Sequence, residues 1–276
     1  MSEHSLEPSF QELNARARLK ALVDDGHCIE LLGPFDRLGS PWLAQQGLVA
    51  QSDDGVVVTL CRVDGELVVA IAIEAAFEGG SIGEVGGAKI AMALKLAAES
   101  CRDGKRIAAL LLLETGGVRL QEANLGLAAI AAIQAAIIEL RELAPVVALI
   151  AGPTGCFGGM SLAAALCTSI IGTLHGRVGM NGPEVIEQEA GPDEMDASDR
   201  ELVWSLIGCE ARLRAGLVDA MVEDHATAIA AAIRAALREG VKIPQRVSAP
   251  EQRLMELNAE LALRDSAELV LAGGAA

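Results

Sequence analysis

The sequence predicts an α/β protein on three observations. From about residue 55 onward, short aliphatic runs alternate with longer stretches of helical periodicity. Glycine-rich turns separate the two kinds of run, and Asp64-Gly65 stands between a pair of strand-like segments. Repeated strand, loop and helix units of this kind build a sheet with helices packed on it.

Residues 7–24 carry Phe10, Leu13, Ala17 and Ala21 at helical spacing among Arg16, Arg18 and Lys20, which predicts an amphipathic helix. Gly33-Pro34, Gly39 and Pro41 then punctuate a loop. Val56–Val63 and Leu67–Glu74 flank the Asp64-Gly65 turn as a hairpin. The run from Glu78 to Gly83 leads into a helix near 84–101, a buried strand at Ile107–Leu113 and a second helix near 121–142. Pro145 opens a strand through Ala151, a third helix starts near Gly159, and Ser169–Thr173 reads as another strand. Helices at Glu201–Ala215 and Ala226–Arg238 flank a short strand at Leu217–Val222, and a last helix, about 250–264, follows Pro244 and Pro250. With no repeat of fixed period and no long linker, the expectation is a single domain, 1–276: a core of about 55–225, an N-terminal helix at 7–24 and C-terminal helices within 226–264.

Composition narrows the function. With 38 acidic and 22 basic side chains the formal charge is −16, which disfavours nucleic acid as a partner. Hydrophobic residues make up 51% of the chain and aromatic ones only 2%, with no tyrosine, so the core is built from Ala, Leu, Ile and Val and tyrosine-dependent catalysis is excluded. The most apolar stretch, Leu125–Ile138, holds Gln134 and is bounded by Glu122 and Glu139, short of the roughly 18 to 20 apolar residues of a membrane span. The first thirty residues are acidic and lack an apolar stretch, so no signal peptide is read and a cytoplasmic protein is expected. The six cysteines and four histidines are scattered without metal-ligand spacing, and neither a disulfide framework nor a metal site is expected.

Two places join an apolar strand to a glycine pair and a following helix: Leu110 to Arg119, containing Gly116-Gly117, and Ala148 to Ser161, containing Gly158-Gly159. A strand that ends in paired glycines leaves backbone N–H groups free and lets a ligand approach closely. At the second, the helix adds the positive end of its dipole, which favours negative charge on a carbonyl oxygen. The run Gly79-Gly80-x-x-Gly83-x-x-Gly86-Gly87 matches neither phosphate-loop pattern, and Ser161 lies outside any GxSxG elbow and reads as a helix N-terminal hydroxyl.

Four segments in order, Gly80-Ser81-Ile82-Gly83, Glu114 to Glu122, Gly158-Gly159-Met160-Ser161 and Gly182 to Gln188, resemble the motifs of acyl-CoA carboxyltransferase subunits of the crotonase superfamily, over about residues 55–225. The resemblance implies a crotonase-like ββα spiral, with the flanking helices at both termini added to it, rather than a doubly wound sheet. Within that group, length and flanking segments most resemble the beta subunits of biotin-independent malonate decarboxylases. The beta subunits of biotin-dependent acyl-CoA carboxylases are the alternative. Those of bacteria carry a four-cysteine zinc ribbon, absent here, and an arginine where this chain has Glu184.

The resemblance further implies loss of CO2 from a malonyl thioester through an enolate. Its oxygen would be held by the backbone amide of Gly117 or Val118 and by that of Gly159, with Gly116, Gly158, Gly80 and Gly182 shaping the substrate site. It implies no biotin, no metal and no cofactor bound by the chain itself. The substrate would arrive on the phosphopantetheine-type, dephospho-CoA-derived arm of an acyl carrier protein, and the partners would be a crotonase-like gamma subunit, that carrier and an acyl transferase subunit. Glu114, Glu122, Glu184, Glu187 and His175 are candidate proton donors that read more simply as capping or solvated groups. Arg102 to Arg106, and Arg212 with Arg214, are the local basic clusters that could meet an acidic carrier, though they read more simply as solvated surface.

Overall fold

The computed structural model describes residues 9–25, 27–47 and 54–259. The chain divides into a large unit, 1–242, and a C-terminal unit, 243–276. Among the described residues the C-terminal unit holds a helical turn, Gln245–Ser248, and a helix over 250–259; the rest of the helix expected to 264 lies outside them.

The large unit is one seven-stranded sheet whose spatial order is its chain order: β1 (Cys28–Leu32), β2 (Val56–Val63), β3 (Glu66–Ile73), β4 (Ala108–Leu112), β5 (Val146–Ile150), β6 (Ser169–Thr173) and β7 (Ala220–Val222). The first three strands are antiparallel, and β3 through β7 are parallel. Every crossover therefore advances one strand in the same direction. A doubly wound sheet needs a reversal of strand order, and there is none among the described residues. The chain thus winds as a spiral.

Helices α1 (Ala15–Leu22), α2 (Glu84–Arg102), α3 (Asn124–Arg141), α4 (Gly159–Leu166), α5 (Pro183–Ala190), α6 (Arg200–Ile207), α7 (Cys209–Arg214) and α8 (Ala226–Glu239) complete the unit. Strands β4, β5 and β6 are buried at every residue, as strands covered on both faces must be. Ala109 and Leu111 join Leu94, Ile133, Ile137 and Leu140 of α2 and α3, whereas Leu110 and Leu112 join Leu19 of α1 and Ile229 and Ile233 of α8. Alternate residues of each strand thus serve two separate cores. Helix α3 is long and apolar enough to cross a membrane by length and composition; its Ile130, Ile133, Ile137 and Leu140 are core residues here.

The hairpin forms as expected. Asp64 (φ 54°) and Gly65 (φ 78°) make a two-residue turn of positive φ, which matches the right-handed twist of its strands. Three expectations shift. The helix at 7–24 shortens to a 3-10 turn, Phe10–Glu12, followed by α1, because Asn14 is extended and caps α1 by accepting the Ala17 N–H at 2.9 Å. The helix at 201–215 breaks in two at Gly208, which leaves helical geometry (ψ 148°) to pair with Arg177. Strand β1 lies between the helix expected at 7–24 and the loop marked by Gly33-Pro34, where no element was expected; it is an edge strand whose first four residues are exposed, so it carries no alternation of burial.

Candidate active site

The glycine-rich segments leave the carboxyl ends of β3 to β6 and pair again just above the sheet. Ile82 bridges Val118, Thr115 bridges Cys156, and Cys156 bridges Val178, all in parallel. This second row of pairings gives each turn of the spiral its ββα character and draws the two candidate loops together. An alanine Cβ at Gly117 would lie 3.0 Å from the Phe157 carbonyl oxygen, and one at Gly158 would lie 3.4 Å from Gly117 Cα and 3.9 Å from Val118 N. Both glycines have positive φ, 107° and 58°. Backbone meets backbone here: a Cβ at Gly117 would be tight, and one at Gly158 would be in ordinary contact.

The fate of each amide along the loops distinguishes the donors. Thr115 N–H donates to Gly155 O, Gly116 N–H to Gly79 O and Arg119 N–H to Ile82 O. Gly117 N–H is taken by Thr115 Oγ1 at 3.0 Å, so of the two alternatives on this loop Gly117 is occupied. Val118 N–H has no acceptor among the described residues. On the second loop Gly155, Cys156, Phe157 and Gly158 all donate to carbonyl oxygens, Gly158 to Met180 O at 2.8 Å. Gly159 N–H, the first amide of α4, again has no acceptor among the described residues. Ser161 Oγ donates to Gly158 O at 2.7 Å and behaves as the helix N-terminal hydroxyl it was read to be.

Beside these loops lies a cleft of about 460 Å³. Its walls include Gly116, Thr154, Phe157, Arg177, Gly182 and Glu184. Gly182 caps α5, and Glu184 sits in that helix's first turn, where the dipole favours a carboxylate. Gly80 is not among the residues that line the cleft. It is buried behind the first loop with φ 67°, and a Cβ there would meet the Glu114 carbonyl oxygen at 2.1 Å. Gly80 therefore supports the first loop from behind. Gly80→Ala is expected to destabilise the fold by about 2 kcal/mol or more, read as a lowered urea midpoint with unchanged m-value.

Most of the candidate proton donors are already committed. Glu114 is buried and paired with Arg18, and its Oε1 accepts the Thr154 N–H at 3.3 Å. Glu122 is buried, paired with Arg119 at 3.1 Å, and caps α2 by accepting the Glu84 N–H at 2.7 Å. Glu187 accepts the Ala197 N–H at 3.1 Å. Glu184 is the one of the five that borders the cleft. Cys156 lies in the second loop, but complete burial pushes its thiol far up, and burial pushes Cys209 up to about 12, so neither is a thiolate nucleophile.

Sequence reasoning missed Arg177. Its Nε and Nη2 donate to Pro153 O at 3.1 and 2.6 Å, and its guanidinium stands 5.8 Å from the Phe157 ring centroid and 5.3 Å from that of Trp204. Nη1 has no acceptor among the described residues. The only signal was a lone arginine between Gly176 and Val178, which no spacing rule picks out. The basic clusters are not at the cleft: Arg106 precedes the amino end of β4, opposite the site loops, and Arg212 is turned inward to donate to Val178 O at 3.0 Å.

A spiral of ββα units whose second row of backbone pairings holds two glycine loops in contact is the architecture of the crotonase-type carboxyltransferases. The carboxyl transferase domain family matches residues 11–251, and the chain belongs to that family. Two solved structures narrow the likeness. A Pseudomonas malonate decarboxylase hetero-tetramer in complex with malonate contains a chain 55% identical, with a TM-score of 0.85 and 92% of each chain covered. A Pseudomonas malonate decarboxylase MdcD-MdcE hetero-dimer contains one 49% identical, with a TM-score of 0.75, covering 92% of this chain and 98% of that one. The chain is also 37% identical to the malonyl-S-ACP:biotin-protein carboxyltransferase MADC of Malonomonas rubra over 95% of its length and 88% of the relative's.

Proposed function

We propose that this chain is the beta subunit of a malonate decarboxylase, converting malonyl thioester to acetyl thioester and CO2. The observation that carries the reading is the pair of unpartnered amides, Val118 and Gly159, on loops in backbone contact. Substrate carbonyl oxygen accepts both N–H groups. The bond from the α-carbon to the carboxylate then breaks, its electrons moving into the enolate whose oxygen the two amides hold, and CO2 leaves. The α-carbon finally takes a proton from water or from a weak acid of the completed site. Each donor contributes on the order of 3 to 4 kcal/mol of barrier reduction. Decarboxylation itself transfers no proton, which fits a site whose acidic side chains are mostly tied up in ion pairs and caps.

Arg177 supplies the positive charge that an anionic substrate needs on a chain of −16. Arg177→Gln is expected to raise KM for malonyl thioester about tenfold while changing kcat less, since a charge-assisted hydrogen bond contributes roughly 1.5 to 3 kcal/mol. Binding of acetyl thioester serves as the control that lacks the carboxylate.

In this reading the subunit works in the cytoplasm with a crotonase-like gamma partner. An acyl carrier protein, loaded by an acyl transferase subunit, presents the substrate on a phosphopantetheine-type, dephospho-CoA-derived arm, without biotin or metal. The name of the Malonomonas relative favours a second reading, transfer of the carboxyl group to a biotin protein. The deciding assay follows CO2 release from malonyl carrier protein by the purified beta–gamma complex, with and without avidin. Release indifferent to avidin supports the decarboxylase. Dependence on a biotinyl acceptor supports the transferase, and no turnover of either kind rejects both.

A further inference from the structure

Cys28 opens β1, and the antiparallel register sets it directly opposite Cys61 of β2. In the neighbouring pair, Arg62 N–H donates to His27 O at 3.0 Å. Hydrogen-bonded and non-hydrogen-bonded pairs alternate along an antiparallel ladder, so Cys28 and Cys61 form a non-hydrogen-bonded pair. Such pairs have Cα atoms about 4.5 Å apart and the closer side chains. That spacing lies within the roughly 4.4 to 6.8 Å that a disulfide accepts. The two Sγ atoms are already in contact, at 2.6 Å.

From this geometry we infer that Cys28 and Cys61 are a reversible oxidation site, closing an intrachain disulfide across the edge of the sheet. The two thiols divide the work. Cys61 is buried, with its thiol pushed up to about 12 by that burial first and by Cys28 second, whereas Cys28 is exposed and is the point of entry. A cavity of about 350 Å³ adjoins Cys28, with Arg16, Lys20, Asp24, Asp25 and Glu30 among its walls. It admits a small thiol reagent.

The oxidant is a low-molecular-weight disulfide of the glutathione kind. Cys28 thiolate attacks one of its sulfurs and expels the first small thiolate, which takes up the proton Cys28 released. Cys61 Sγ then attacks Cys28 Sγ in the mixed disulfide, and the second small thiolate leaves with the Cys61 proton. Two protein thiols are oxidised and one small disulfide is reduced to two thiols. The bridge would pin β1 to β2, and the exposed Arg16–Glu30 ion pair at 2.8 Å joins β1 to α1 as well.

The test equilibrates the full chain, and its complex with the gamma subunit, with oxidised glutathione, then digests it with trypsin without reduction. Cys28 falls in peptide 21–37 and Cys61 in peptide 38–62, each with a single cysteine. The expected product is the linked pair of these peptides, lost on treatment with dithiothreitol. Two fewer thiols than the six of the sequence should titrate after denaturation, and Tm should rise by on the order of 5 °C. Cys28→Ser, at an exposed position where folding is easily checked by circular dichroism, should show none of these changes. Six titrating thiols, a cross-link between other cysteines, or Cys28 halted as the glutathione mixed disulfide with Cys61 still free would each overturn the proposal.

Discussion

Replacing Gly158 by alanine should lower turnover of malonyl thioester by two to three decades while leaving the chain folded and bound to its gamma partner. Gly158 has φ 58° and ψ −144°, a region that L side chains rarely adopt and that costs on the order of 1 to 3 kcal/mol for any residue with a Cβ. The added Cβ meets nothing closer than 3.4 Å, so a gross clash is avoided and the fold survives. Strain of this kind is relieved by rotating the adjoining peptide planes, and one of those planes carries the Gly159 N–H. A donor turned away from the enolate oxygen costs about 10² to 10³ in kcat. Gly117 obeys the same logic more harshly, because its Cβ would lie 3.0 Å from the Phe157 carbonyl at φ 107°. The measurement is steady-state kcat of the complex, with gel filtration to check assembly. A Gly158→Ala complex that assembles and turns over like wild type removes Gly159 as a donor.

The parts legible in the sequence were those fixed by local chemistry. Asp64-Gly65 announces its hairpin because few other dipeptides tolerate two successive positive φ angles. The aliphatic runs of β4, β5 and β6 read as buried strands because a sheet covered on both faces has no polar alternation to disguise it. Both glycine pairs were visible for the same reason. What could not be read depends on contacts between distant segments. Nothing in Glu114-Thr115-Gly116-Gly117 says that the Thr115 hydroxyl will occupy the Gly117 amide and leave that of Val118 open. Arg177 acquires its meaning from Pro153, Phe157 and Trp204, 24, 20 and 27 residues away along the chain. Gly80 carries a family motif, yet its requirement for glycine comes from a carbonyl oxygen 34 residues later.

Glu114, two residues past the buried end of β4, illustrates how the site is supported from outside the sheet's helical layer. Its side chain is 6% exposed and its carboxylate meets the guanidinium of Arg18, whose side chain is 8% exposed, from α1. Arg18 in turn donates through Nη2 to Gln11 O at 2.7 Å and through Nε to Phe10 O at 3.3 Å, and it stacks 5.6 Å from the Phe10 ring centroid. Arg18→Met should therefore destabilise the protein by about 3 to 5 kcal/mol, because it strands a buried carboxylate without its cation. For a unit of this size that corresponds to a fall in Tm of roughly 10 °C. Glu114→Gln should lose a similar amount by leaving the guanidinium unpaired. The combined Arg18→Met, Glu114→Gln chain should be no less stable than either single variant, since the uncompensated charge is then gone from both sides. Additive losses would mean that the pair is not coupled. The same variants read on the reaction, because Glu114 also holds the Thr154 amide and directly precedes the loop bearing Val118. Arg18→Met assayed well below its Tm should show a reduced kcat that the double variant restores in part, tying the N-terminal helix to the chemistry through a single buried ion pair.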